Sequence, residues 1–135
     1  MLQEALAMLE KGKFVFLATS DGGEPRVRPF GFMGERDGKL WFCTATNKDV
    51  YAQLTRNPKV ELAVTTTPEM LTLRIRGQVA FEDNRAVKED IMEKSAVVRS
   101  IYKTADNPVF TVFNIAHGEG TIADMTANPP KRFTF

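Results

Sequence analysis

Short β-forming runs cut by tight-turn residues set the strongest limit on how this chain folds. Lys13 to Ser20 is rich in β-branched and aromatic residues and ends at Asp21-Gly22-Gly23. Residues 25–33 make the next extended run, Asp37-Gly38 turns the chain, and Lys39 to Thr44 extends it again around Trp41 and Phe42. Connections this short leave room only for antiparallel pairing, so the first part of the chain is a meander.

Helical spacing appears in three places. Leu2, Leu6 and Leu9 recur on one face of residues 2–11, with Gly12 as the stop. Thr46-Asn47-Lys48-Asp49 has the form of a capping box, followed by Val50 and Leu54 at helical spacing and closed by Asn57-Pro58. Asp83-Asn84 starts the longest helix, residues 85–95, and a further helical stretch reaches Tyr102. Strands are expected over 59–66, 71–82, 109–115 and 121–125, with a bulge or close approach at Gly77, a turn at Gly118-Glu119-Gly120 and an irregular tail from Asn128. About six or seven strands with three short helices imply a mainly β, α+β domain, a closed or nearly closed antiparallel barrel with helices at its ends. No repeat, linker or low-complexity block divides residues 1–135, so one domain is expected.

Composition narrows the function. Eighteen basic and seventeen acidic residues give a net charge of +1, so a general affinity for nucleic acid is not expected. A single cysteine, Cys43, excludes an intrachain disulfide, and with a single histidine, His117, the usual zinc sites are not expected. No apolar run approaches membrane-spanning length, and the first ten residues carry Glu4 and Glu10 without a basic start, so a cytoplasmic protein is expected.

Chemistry concentrates in two segments. In Pro25-Arg26-Val27-Arg28-Pro29-Phe30-Gly31 two arginines alternate onto one strand face. Pro29 removes a ladder donor, and Gly31 lets a flat ligand approach the main chain. The same spacing fits an edge strand with solvent-facing arginines. Thr44-Ala45-Thr46-Asn47-Lys48 lies where a strand gives way to a helix, whose free N–H groups suit a phosphate. Lys48 stands at the helix end that disfavours cations, a placement an anion would relieve. A solvated lysine beside an ordinary cap fits it too. Together, Arg28 and Lys48 could supply two cationic donors to one phosphate dianion.

Other residues carry weaker signals. Cys43, in a strand beside Phe42, reads as a small packed hydrophobe rather than a redox thiol. Glu82 and Asp83 flank a helix start, where capping accounts for them. Arg74 and Arg76 face either a ligand or solvent, and Trp41 is a candidate for a subunit interface. Arg26, Arg28, Arg74 and Arg76 among aromatics also allow a single-stranded nucleic-acid groove, against which the near-zero net charge argues.

Read in order, Leu17-Ala18-Thr19, Gly23-Glu24-Pro25, Arg28-Pro29-Phe30, Trp41-Phe42-Cys43-Thr44, Lys48, Gln53-Leu54, Asn57-Pro58-Lys59-Val60, Arg76-Gly77 and Pro108-Val109-Phe110 resemble the pyridoxamine phosphate oxidase-like FMN-binding split barrels. The resemblance spans nearly the whole chain. It implies a split barrel with FMN as cofactor, the phosphate on Arg28 and Lys48, the ring against Pro29, Phe30 and Gly31, and ribityl or ring contacts from Cys43 and Thr44. Asn47 and Gln53 join as further contacts from the following helix. It also implies a homodimer with FMN at the subunit interface, reduction of a small molecule, and a reduced nicotinamide as electron donor. A flavin sensor or store without turnover shares these residues, and some relatives carry haem or deazaflavin F420 instead. The family's longer members that oxidise pyridoxamine phosphate end in Arg-Leu-x-Pro, whereas this chain ends Pro129-Pro130-Lys131-Arg132-Phe133-Thr134-Phe135. The resemblance is therefore to the small members of undefined substrate, some of them nitroimidazole-reductase-like.

Overall fold

The computed structural model describes residues 2–135. Its elements run α1 (Leu2–Gly12), β1 (Phe14–Asp21), β2 (Glu24–Gly31), β3 (Glu35–Arg36), β4 (Lys39–Ala45), α2 (Asp49–Arg56), β5 (Lys59–Thr66), β6 (Leu71–Phe81), α3 (Arg85–Lys94), α4 (Ala96–Tyr102), β7 (Phe110–Ala123) and β8 (Lys131–Thr134). All strands share one antiparallel sheet in the order β2-β1-β5-β6-β7-β4-β3, with β8 added to β7. The sheet is not closed. It curls until β2 and β4 approach each other without a ladder between them. This gap is the split, and the segment after β2 crosses it: Phe32 donates its N–H to the Lys13 carbonyl at 2.8 Å and Met33 to that of Trp41 at 2.9 Å.

Alternating inward residues fill the barrel. Leu17, Leu62, Leu73, Ile75, Ile115, Phe42 and Phe113 are all fully buried, and α1 closes one side with Ala5, Met8 and Leu9. A second cluster lies outside the barrel, where α3 and α4 cover β4 and β7. There Trp41, Ala45, Phe110 and Val112 meet Val87, Ile91, Val98 and Tyr102. Burial on both faces explains why Leu40-Trp41-Phe42 is continuously apolar rather than alternating. It also places Trp41, 2% exposed, beneath helices rather than at a subunit interface.

Three expectations change. Gly118-Glu119-Gly120 is not a turn, and β7 runs straight through it. These glycines permit close packing instead: a Cβ on Gly118 would stand 2.7 Å from the Arg76 carbonyl oxygen, and one on Gly120 would stand 2.1 Å from the Phe133 ring. The tail is not irregular, because burying Phe133 over Gly120 lets residues 131–134 pair with β7 as β8. The two helical stretches expected over 85–102 are present, divided at Ser95, which ends α3 and whose hydroxyl accepts the Val98 N–H at 3.2 Å to start α4. Among the described residues the count is eight strands and four helices. Finally, Thr46 is not the cap of α2; Lys48 holds that position, with no side-chain cap. The irregularity expected at Gly77 is present as a register shift between Gly77 and Val79. No helix among the described residues is long and apolar enough to cross a membrane.

Candidate functional site

The split opens into a groove of about 900 Å³. Its floor is Arg28, Pro29, Phe30, Gly31 and Phe32; Cys43 and Thr44 line one side, and α3 and α4 form the facing wall. A second hollow of about 590 Å³ lies between the β1–β2 turn and α2, lined by Asp21, Arg26, Arg28, Lys48, Gln53 and Arg56. Arg28 and Lys48 border both, so they stand where the two spaces meet.

Arg28 is held in place from behind. It shares the inner face of β2 with Arg26 and Phe30, and it is paired with Leu17 on β1. Its guanidinium donates to the Thr19 hydroxyl at 2.9 Å, to the Leu17 carbonyl at 3.2 Å and to Gln53 Oε1 at 2.7 Å. Thr19 in turn donates to the same Gln53 oxygen at 2.7 Å. Both partners are buried, Thr19 at 5% and Gln53 at 6% exposure. Burial, followed by the charge of Arg26, pulls Arg28 below the usual arginine value. It stays protonated regardless, and all its partners here are neutral oxygens.

The surrounding charges are unevenly matched. Asp21 serves both Arg26 at 3.6 Å and Arg56 at 3.4 Å. Among the described residues, neither Arg28 nor Lys48 has a carboxylate within ion-pair distance. At the start of α2 the Tyr51 N–H donates to the Lys48 carbonyl at 3.1 Å, while the N–H groups of Asp49 and Val50 lie beside Lys48 with no backbone partner among the described residues. Two uncompensated cations and a helix start make a receptor for a dianion, the size and charge of a phosphate monoester.

Most of the sequence candidates meet here. Arg28, Pro29, Phe30, Gly31, Cys43, Thr44 and Lys48 line the groove, and Gln53 lines the adjoining hollow. Gln53 also supports Arg28, since its oxygen accepts from both Arg28 and Thr19. Asn47 is exposed in the turn before α2 and borders neither space, since the helix starts two residues later than the capping-box reading placed it. Arg74 and Arg76 are exposed and paired with Glu61 at 3.8 Å and Glu119 at 2.6 Å, on a separate surface. His117 is exposed and lines another broad hollow. Sequence reasoning missed Thr19, Arg56 and the whole α4 wall. Thr19 was detectable as the one polar residue in the inward series Val15, Leu17, Thr19; α4 carried no such signal.

Cys43 is a thiol rather than a thiolate. Burial pushes it up to about 12, and the nearby charge of Lys48 offsets this only in part. The folded chain thus holds this proton more tightly than the unfolded chain, whose ordinary value is 9.0. Stability from this group is complete below pH 9.0 and is lost as pH rises toward about 12. Denaturation midpoints followed across that range are expected to fall, and Cys43→Ala to flatten the fall.

An open antiparallel barrel with two uncompensated cations at its split has the architecture of the split barrels. The chain belongs to the pyridoxamine 5'-phosphate oxidase family, whose sequence pattern matches residues 1–129. No curated protein matches it. Among solved structures it is similar to a NimC/NimA family protein from Clostridium acetobutylicum, at 34% identity over 98% of this chain and 91% of that one, with a TM-score of 0.89. It shares its fold with a pyridoxamine 5'-phosphate oxidase-related, FMN binding protein from Nostoc punctiforme, at 16% identity, 98% and 86% coverage and a TM-score of 0.75. It shares it also with a heme binding protein from Mycobacterium smegmatis, at 15% identity, 97% and 56% coverage and a TM-score of 0.77.

Proposed function

We propose that the groove holds FMN and that the protein is a flavin-dependent reductase of a small molecule. The observation that carries this reading is the pair Arg28 and Lys48, two cations without carboxylate partners at the mouth of a flat-floored groove. The phosphate would sit on that pair and on the start of α2, and the ring would lie along Pro29, Phe30 and Gly31. Bound FMN supplies hydride and electron transfer; the chain anchors, orients and shields it. A dianionic phosphate monoester matches two cations better than the phosphodiester of a deazaflavin. Haem is less favoured, since the sole histidine, His117, lines a different hollow.

The reading includes a homodimer. Phe14, Phe16 and Val27 are 63%, 59% and 65% exposed, large values for apolar side chains. The β1–β2 register places them beside Gly31, Pro29 and Ala18, so the patch continues the rim of the groove. A second copy seated there would bury the patch and cover the ring.

The deciding experiment is a titration of the purified protein with FMN, read by visible absorption, with sedimentation to give its mass. Saturable uptake near one FMN per chain supports the reading; absence of uptake sinks it. Addition of a reduced nicotinamide should then bleach the bound flavin, and an acceptor should restore it, whereas a sensor or store would not cycle.

Gln53 gives a sharper check. A carboxylate would bind Arg28 more strongly than a carboxamide does, but it would neutralise the charge the phosphate needs. Gln53→Glu is expected to weaken FMN binding by roughly tenfold or more while leaving the melting temperature unchanged or raised. A fluorescence titration and a thermal melt of the same sample would read both effects.

A further inference from the structure

The groove is larger than its phosphate end requires. At about 900 Å³ it lies near the top of the range for ligand cavities, about 300–1,000 Å³, so a second molecule can sit beside a bound ring. The wall facing the floor is α4. Val97 and Ile101 stand one helical turn apart, are 66% and 58% exposed, and both line the groove. At that exposure the pair is left largely uncovered by the described residues.

Tyr102 completes that wall. It is only 6% exposed, its ring centroid lies 4.8 Å from that of Phe110, and it also lines the groove. The ring is therefore held by packing. Its hydroxyl makes no hydrogen bond among the described residues, and it is not sealed in the core. A tyrosine this buried ordinarily pairs its O–H. Burial, and after it the proximity of Cys43, raises Tyr102 above the usual tyrosine value, so the phenol keeps its proton and remains a donor. The α4 face itself, Val97, Ile101 and Tyr102, carries no charge, and Lys94 before it is paired with Asp90 at 2.9 Å, while Glu10, Lys13, Glu35 and Arg36 line other parts of the groove.

We propose that α4 forms the substrate subsite, where an uncharged aromatic carbonyl compound lies against Val97 and Ile101 and accepts a hydrogen bond from Tyr102 Oη. The apolar pair selects a hydrocarbon body over an ion, and the hydroxyl selects an oxygen acceptor. The subsite deepens the flavin reading and rests on it, because a substrate reduced by the ring must lie beside it.

The test compares acetophenone with α-methylstyrene, in which a methylene replaces the carbonyl oxygen. Calorimetric titrations are run on wild type and Tyr102→Phe, each with and without FMN. Wild type is expected to prefer acetophenone, and Tyr102→Phe to bind it about three- to tenfold more weakly while binding α-methylstyrene unchanged. Ile101→Ser should weaken both probes, as loss of an apolar contact requires. Equal affinity of wild type and Tyr102→Phe for acetophenone would overturn the proposal, as would the absence of any binding to wild type. FMN uptake, read separately by absorption, should be the same in both proteins. Failure of FMN uptake with the acetophenone pattern intact would overturn the flavin reading and still support the Tyr102 contact.

Discussion

Replacing Arg28 with alanine is expected to weaken FMN binding by about one to two orders of magnitude, the largest effect of any single contact in the groove. The estimate follows from a hydrogen bond to a charged group, worth about 1.5–3 kcal/mol, at about 1.4 kcal/mol per decade of affinity. Arg28 is also preorganised: bonds to Thr19, Leu17 and Gln53 hold the guanidinium before any ligand arrives, so little conformational entropy is lost on binding. Riboflavin lacks the phosphate and provides the internal control. Wild type should prefer FMN to riboflavin strongly, and Arg28→Ala should lose most of that preference while binding riboflavin nearly as before. If the variant kept its preference for FMN, the phosphate would lie elsewhere. Arg28→Lys should recover only part of the affinity, because a single ammonium cannot keep the forked contact to Gln53 and still face the ligand.

How much of this could be read from the chain depends on which forces act locally. Asp21-Gly22-Gly23 and Asp37-Gly38 turn where expected, because positive backbone angles at Gly22, Gly23 and Gly38 are set by a few residues. Arg28 and Lys48 fitted solvated positions as well as a site by spacing alone, and only the ordered motifs of the resemblance singled them out. Gly118 and Gly120 misled because glycine has two uses, and only a distant partner tells them apart. Phe133 and the Arg76 backbone supply that partner, and neither is near in sequence. The support that Gln53 gives Arg28 was hidden for the same reason. Its role as a support depends on β1 lying against α2, a tertiary contact that helical spacing does not reveal. The α4 wall left no trace, since nothing in the spacing of Val97 and Ile101 tells a groove-lining face from a buried one.

The second large effect is on stability and reaches the site through the core. Phe113 is fully buried, with ring centroids 5.5 Å from Phe30, 5.6 Å from Phe42 and 5.4 Å from Phe81. Phe30 follows Pro29 on the groove floor, and Phe81 packs on Tyr51 of α2 at 4.8 Å. One ring therefore braces β2, which carries Arg28, and the helix that carries Gln53. Phe113→Ala is expected to cost about 3–5 kcal/mol, a large share of the roughly 5–15 kcal/mol total for a domain. Urea denaturation should show the midpoint fall without a change of slope. Phe113→Leu, which retains most of the volume, should lose much less. The coupling to the site is the sharper claim. Since Phe30 and α2 would relax toward the cavity, Phe113→Ala should also weaken FMN binding under conditions where it is still folded. Saturating FMN should therefore stabilise the variant by less than it stabilises wild type at the same free FMN concentration. Equal stabilisation of the two proteins would mean that the groove holds its shape without the aromatic cluster.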